Sequence, residues 1–122
     1  YHFDASGRGF RFAADEPLDM RFDPEDDDLD TAADLLRTLS LDELTAIFRD
    51  LGEERFARRI AWRIVQARDE APLETSNQLV DAITRALPGN VRWRWARSAA
   101  RVFQALRIAV NDELGAIDAA LP

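Results

Sequence analysis

The chain has 122 residues and a mass of 13.8 kDa, with 47% apolar and 32% charged residues, a formal charge of -7 and a pI near 4.7. That is the size of one domain and the composition of a globular chain, large enough to fold without covalent staples. No apolar run reaches the ~18 residues of a membrane span, no secretory signal is visible, and the absence of cysteine with a single histidine, His2, removes thiol chemistry and disfavours metal clusters and Ser-His-Asp triads.

Residues 1–22 read as extended, with Phe10, Phe12 and Phe22 spaced among the breakers Gly7, Gly9 and Pro17. Phe10-Arg11-Phe12 alternates like a short strand. Residues 23–30, Asp-Pro-Glu-Asp-Asp-Asp-Leu-Asp, form an acidic loop held open by repulsion, or a plain linker. Thr31, with Asp34 in the first turn, caps a first helix. Ser40 and Glu43 form a capping box for a second helix, to about Leu51, with Gly52 as a left-handed stop. Glu53-Glu54 opens a third helix, to about Arg68, and Pro72 prevents its continuation. Thr75 and Gln78 form another capping box, and Pro88-Gly89 ends that helix. Residues 90–97 read as irregular and basic, and a last helix runs from about Ser98 to Leu114. No strand is expected after residue 31.

Charge is segregated along this order. Residues 1–50 hold 14 acids and 5 arginines, residues 51–107 hold 6 acids and 11 arginines, and the last fifteen hold 3 acids. All sixteen basic residues are arginine, whose planar fork suits phosphates and stacks on bases; an arginine-rich codon bias gives the same count. At about 100° per residue, Phe56, Ala57, Ile60, Ala61 and Ile64 share one arc of the third helix. Arg55, Arg58, Arg59 and Arg63 share the opposite arc with Trp62. Such a face can neutralise phosphates and stack a base; it is also the pattern of a solvated helix face. Arg92-Trp93-Arg94-Trp95-Ala96-Arg97 interleaves arginines with indoles again, which suits single-stranded RNA, unless one indole plugs the core and the arginines are merely exposed. In the last helix, Val102, Phe103, Leu106, Ala109, Val110 and Leu114 form a broad apolar stripe. In so small a chain the stripe calls for another domain or a second copy, and a non-catalytic interaction module is the rival reading.

Three runs carry a specific resemblance. YHFDASGRGFRF followed by PLDMRFDP, then LGEERFARRIAWRIVQAR, then RVFQALRIAVNDEL, resemble in order the RsmH (MraW) family. These are bacterial S-adenosylmethionine-dependent methyltransferases that modify N4 of a cytidine in 16S ribosomal RNA. The family's glycine-rich cofactor loop has no counterpart in these residues, and Gly7-Arg8-Gly9 is too short to imitate it. The resemblance therefore implies an internal segment. Residues 1–30 would be the junction with a Rossmann-like core, 31–97 the helical RNA-recognition insert, and 98–122 a long helix returning to the core. The implied fold class is all-α, a SAM-domain-like bundle of two crossed helical hairpins with an extended N-terminal segment; SAM here names a fold, not the cofactor.

The resemblance also implies roles. His2 takes the position of a residue that contacts S-adenosylmethionine, and Asp19 and Arg21 lie in the PLDMR stretch beside the cleft, where a structural ion pair between them is an equal reading. RNA contact falls to Arg55, Arg58, Arg59, Trp62, Arg63, Arg92, Trp93, Arg94, Trp95 and Arg97, with no catalytic residue and no metal. The implied partners are 16S rRNA in the small ribosomal subunit and the methyltransferase core, with a homodimer as a further option and no membrane. The implied compartment is the cytoplasm. The cofactor belongs to the full-length parent, and the isolated chain is expected to be inactive. The sequence departs from the family at Arg97-Ser98, in place of His-Pro, which frees the start of the last helix.

Overall fold

The computed structural model describes residues 17–21 and 31–111, and three of its helices begin where the sequence places caps. Helix α1 spans Ala32–Thr38, with Asp34 N–H donating to Thr31 Oγ1 and Thr31 N–H donating to the Asp34 carboxylate. Helix α2 spans Leu41–Ala46 behind the same reciprocal pair at Ser40 and Glu43, and runs on into a π turn, Ile47–Leu51. Helix α3 spans Ala57–Glu70 and helix α4 Ser76–Ala86, the latter with Gln78 Oε1 accepting from the N–H groups of Glu74 and Thr75. A 3-10 turn, Gly89–Arg94, leads into helix α5, Trp95–Asn111. The described residues are all-α. Their sole extended pairing is a single bridge between Pro17 and Thr75, and none of their helices is long and apolar enough to cross a membrane. Phe10-Arg11-Phe12, Phe22, the acidic run and Leu114 lie outside the described residues.

Helix α3 contacts α1, α2 and α4, while α5 packs on the π turn, α4 and α1. Ile60, Ala61 and Ile64 of α3 meet Leu79, Val80 and Ile83 of α4 and Val102 and Leu106 of α5 in a core that also takes Leu36, Leu44 and Phe48. Each of these larger side chains contributes about 1.5–3 kcal/mol by leaving water, and Ala61 less. The expected stripe on α5 is real, but the chain covers it itself: Val102, Phe103, Leu106, Ala109 and Val110 are all buried. The need for a second copy or another domain to shield it therefore falls away for these residues.

Two starts differ from the expectation. Helix α3 begins at Ala57, not at Glu53. Glu53 instead takes the left-handed conformation (φ 53°), and Glu54 is 3% exposed. Its Oε2 accepts from Phe56 N–H (2.9 Å) and Ser98 Oγ–H (3.2 Å). The π turn is wider than an α turn, so the closing bond runs from Glu54 N–H to Phe48 O (3.0 Å), and the left-handed residue falls one place later than Gly52. Gly52 itself has φ -105°. Helix α5 begins at Trp95, three residues before Ser98, because the residues expected to be irregular wind as the 3-10 turn that feeds it.

The 17–21 segment is sewn into this bundle. Leu18 N–H donates to Glu74 O, Ala32 N–H to Asp19 O, and Ala33 N–H to Leu18 O. Asn111 Nδ2 donates to Met20 O (2.8 Å). Arg21 closes a two-point pair on Asp19 (Nε–Oδ1 2.6 Å, Nη2–Oδ2 2.8 Å). Hydrogen bonds from the Arg21 side chain hold the Asp19 carboxyl below its ordinary value of 3.8, and the Thr31 backbone N–H does the same for Asp34. These bonds exist only in the folded chain, so the folded state binds fewer protons between the folded and unfolded pKa values. Their stabilisation is complete above 3.8 and is lost as pH falls through the lowered values. Thermal melts at descending pH should show a fall in Tm below that value, and Asp19→Asn with Asp34→Asn should make the fall shallower. An unchanged profile in the double variant would remove these two carboxylates from the acid transition.

Candidate nucleic-acid interface

Helix α3 is two-sided in the structure as in the sequence. Ala57, Ile60, Ala61 and Ile64 are buried, Phe56 is partly buried against the core, and Arg55, Arg58, Arg59 and Trp62 are exposed. Because α4 lies alongside, the outer face of α3 becomes one wall of an open groove of about 460 Å³. Its lining is Arg58, Arg59, Trp62 and Arg63 from α3 with Arg85 and Ala86 from α4. A neighbouring hollow of about 400 Å³ is lined by Arg63, Thr84, Arg85 and Arg92. The two share Arg63 and Arg85, so five guanidinium groups and one indole border a continuous surface.

The cations are held there in different ways. Arg59 Nε donates to Ala86 O (2.9 Å). Arg92 donates from Nε to Thr84 O and from Nη2 to Leu87 O (both 3.1 Å). Both therefore satisfy carbonyls at the C-terminus of α4, where the helix dipole is negative. Arg58 pairs with Asp42 at 3.5 Å and Arg85 with Asp81 at 3.0 Å, all four side chains well exposed; such pairs contribute little and exchange readily for another anion. Arg63 Nε is buried and meets no acceptor. Trp62 is 52% exposed within the groove.

Of the sequence-predicted residues, Arg58, Arg59, Trp62, Arg63 and Arg92 are brought together. Arg55 is not: it precedes α3 and sits over the Phe56 ring (5.3 Å). Arg94 stacks over Trp93 (5.6 Å), which is 75% exposed, in the 3-10 turn. Trp95 packs partly against the core, and Arg97 is exposed in the first turn of α5. Asp19 and Arg21 engage each other, in keeping with the ion-pair reading, and His2 lies outside the described residues. Arg85 is a member of the cluster that sequence reasoning misses; its signal is an arginine one turn after Asp81 near the end of α4, on the face turned toward the third helix. No cluster of three or more potential metal ligands occurs among the described residues.

A family model described as the MraW methylase family matches residues 1–122. The chain is 55% identical over 115 residues to the Ribosomal RNA small subunit methyltransferase H of Desulfosudis oleivorans, covering 93% of the chain and 36% of that protein. It is 50% identical over 119 residues to the protein of the same name from Mycolicibacterium smegmatis, covering 98% of the chain and 31% of that protein. The one from Heliobacterium modesticaldum is 49% identical over 122 residues, covering the whole chain and 38% of that protein. The chain thus spans about a third of the length of these curated relatives.

Proposed function

Since the chain belongs to the MraW methylase family, we propose that it is the helical insert with which an S-adenosylmethionine-dependent methyltransferase grips small-subunit ribosomal RNA, the target being N4 of a cytidine in 16S rRNA. The observation that carries this reading is the convergence of Arg58, Arg59, Arg63, Arg85 and Arg92 around Trp62. Despite a net charge of -7, this surface is locally cationic, and guanidinium groups release counterions from a phosphate backbone when they bind it. A target base must leave its stack to be modified, and an insert that holds the flanking strand would favour that state. The methyl group is supplied by the cofactor, and the groove does not fit that molecule. Its reacting sulfur is positively charged, so a lining of arginines repels it, and no glycine-rich cradle occurs in the sequence. The cofactor site, to which His2 would add one contact, and the remaining partner surface are assigned to the rest of the full-length protein, in the cytoplasm where ribosomal subunits are assembled.

The test is binding to a decoding-region RNA across a salt series. Arg58→Ala with Arg85→Ala removes two exposed cations that make no bond to a helix terminus. Affinity should fall, and the slope of log K against log salt should flatten by about 0.7–0.9 for each phosphate no longer neutralised. The same pair introduced into a full-length relative should lower methylation of the RNA at limiting concentration. Binding and slope unchanged in the double variant would end the RNA reading.

A further inference from the structure

We propose that the α3–α4 surface is a subsite for one unpaired nucleotide of a single strand, with the base stacked on Trp62 and the phosphate among Arg63, Arg85 and Arg92. This rests on the RNA reading above and adds the form of RNA that the surface takes.

Cations alone would serve a duplex, whose accessible surface is backbone. A half-exposed indole adds nothing there, because paired bases are stacked on each other and offer no free face. For a single strand the same indole is a platform: stacking on an aromatic ring is available to every base. Trp62 stands within the groove wall, one residue before Arg63 and facing Arg85 and Ala86 across it. The two hollows, about 460 and 400 Å³, are open to solvent, as a strand lying across them requires. They join at Arg63 and Arg85, so a base in one and its phosphate in the other need no gap between them.

The phosphate side is prepared. The carbonyls at the end of α4 would repel an anion if left bare. Arg59 and Arg92 cover Ala86 O, Thr84 O and Leu87 O and are thereby fixed in place. Arg92, which lines the phosphate hollow, uses only part of its five N–H donors in doing so, leaving the remainder for a phosphate. Ordering these side chains before the ligand arrives lowers the entropy lost on binding. Arg63 differs: its Nε–H is buried without an acceptor, so a phosphate oxygen satisfies that donor only once the side chain turns it outward. Asp42 and Asp81, the carboxylates paired with Arg58 and Arg85, are exposed and can yield to a phosphate.

The experiment measures affinity of the chain for a short single-stranded RNA and for a blunt RNA duplex of the same sequence at one salt concentration. Trp62→Ala should weaken single-strand binding by about 5- to 100-fold and leave duplex binding unchanged. Trp62→Phe, which keeps a ring face, should recover much of the loss. Arg63→Ala should weaken both. Trp62 is exposed, so matching circular dichroism should confirm an intact fold in its variants. Equal loss for both RNAs on Trp62→Ala, or no loss for either, overturns the nucleotide subsite. In that case continued weakening by Arg58→Ala with Arg85→Ala would leave the RNA reading standing, and its absence would remove both.

Discussion

Gly52→Ala is expected to destabilise the chain by about 3 kcal/mol, although alanine is tolerated at the backbone angle of Gly52 (φ -105°). The cause is space. A Cβ at position 52 would lie 2.6 Å from Arg101 O, 2.9 Å from Phe48 O and 3.0 Å from Ala105 Cβ. Two of these atoms are backbone, so no rotamer change can relieve the clash; the π turn and α5 must move apart. That separation strains the buried Glu54–Ser98 bond as well, because Glu54 follows Gly52 by two residues and Ser98 is on α5. Urea unfolding should show a lower midpoint with an unchanged slope, the mark of altered stability alone. Gly89→Ala is the control: nothing lies within 4 Å of its missing Cβ, and its midpoint should stay near that of the parent. A midpoint at Gly52→Ala equal to that of the control would mean that the π turn and α5 do not approach as closely as described.

This glycine shows where the sequence is legible and where it is not. Its local pattern points to Gly52 for a freedom to turn left. It matters instead because α5, about fifty residues later, passes against it, and no local pattern reports that approach. Local rules serve well wherever the cause is local. Thr31 with Asp34 and Ser40 with Glu43 are visible as pairs three residues apart, and the apolar arc of α3 follows from periodicity. The arginines divide along the same line. That Arg58, Arg59, Trp62 and Arg63 share a face is readable from spacing. That Arg59 caps Ala86 and Arg92 caps Thr84 and Leu87 depends on how the α3–α4 hairpin closes. Arg85 escapes for the same reason: it joins the cluster only across that hairpin. Arg68, in the basic stretch but unassigned, proves to reach Leu36 O (3.0 Å) and Leu39 O at the end of α1. An arginine count therefore overstates the surface available to RNA, and the groove is narrower than the charge pattern of the sequence implies.

Phe48→Ala should have the largest effect, a loss of about 3–5 kcal/mol from a total expected near 5–15 kcal/mol. Phe48 is among the largest fully buried side chains. It sits in the π turn that packs on α5, and its own carbonyl closes the turn by accepting from Glu54 N–H. Truncation leaves a cavity where the second helix, the turn and α5 meet, and the surrounding structure relaxes only partly into such a space. The expected shift in Tm is downward by about 10–20 °C, and Phe48→Leu should recover much of it. RNA binding supplies a separate readout, because the guanidinium groups and Trp62 line the outer wall of α3 while Phe48 lies in the core. At a temperature where Phe48→Ala remains folded, its salt slope should match the parent, whereas Arg58→Ala with Arg85→Ala should flatten the slope with little change in Tm. The two variants thus separate the scaffold from the surface it carries. If Phe48→Ala flattened the slope while folded, the groove would have to depend on packing at the π turn, and the division between the two faces of α3 would fail.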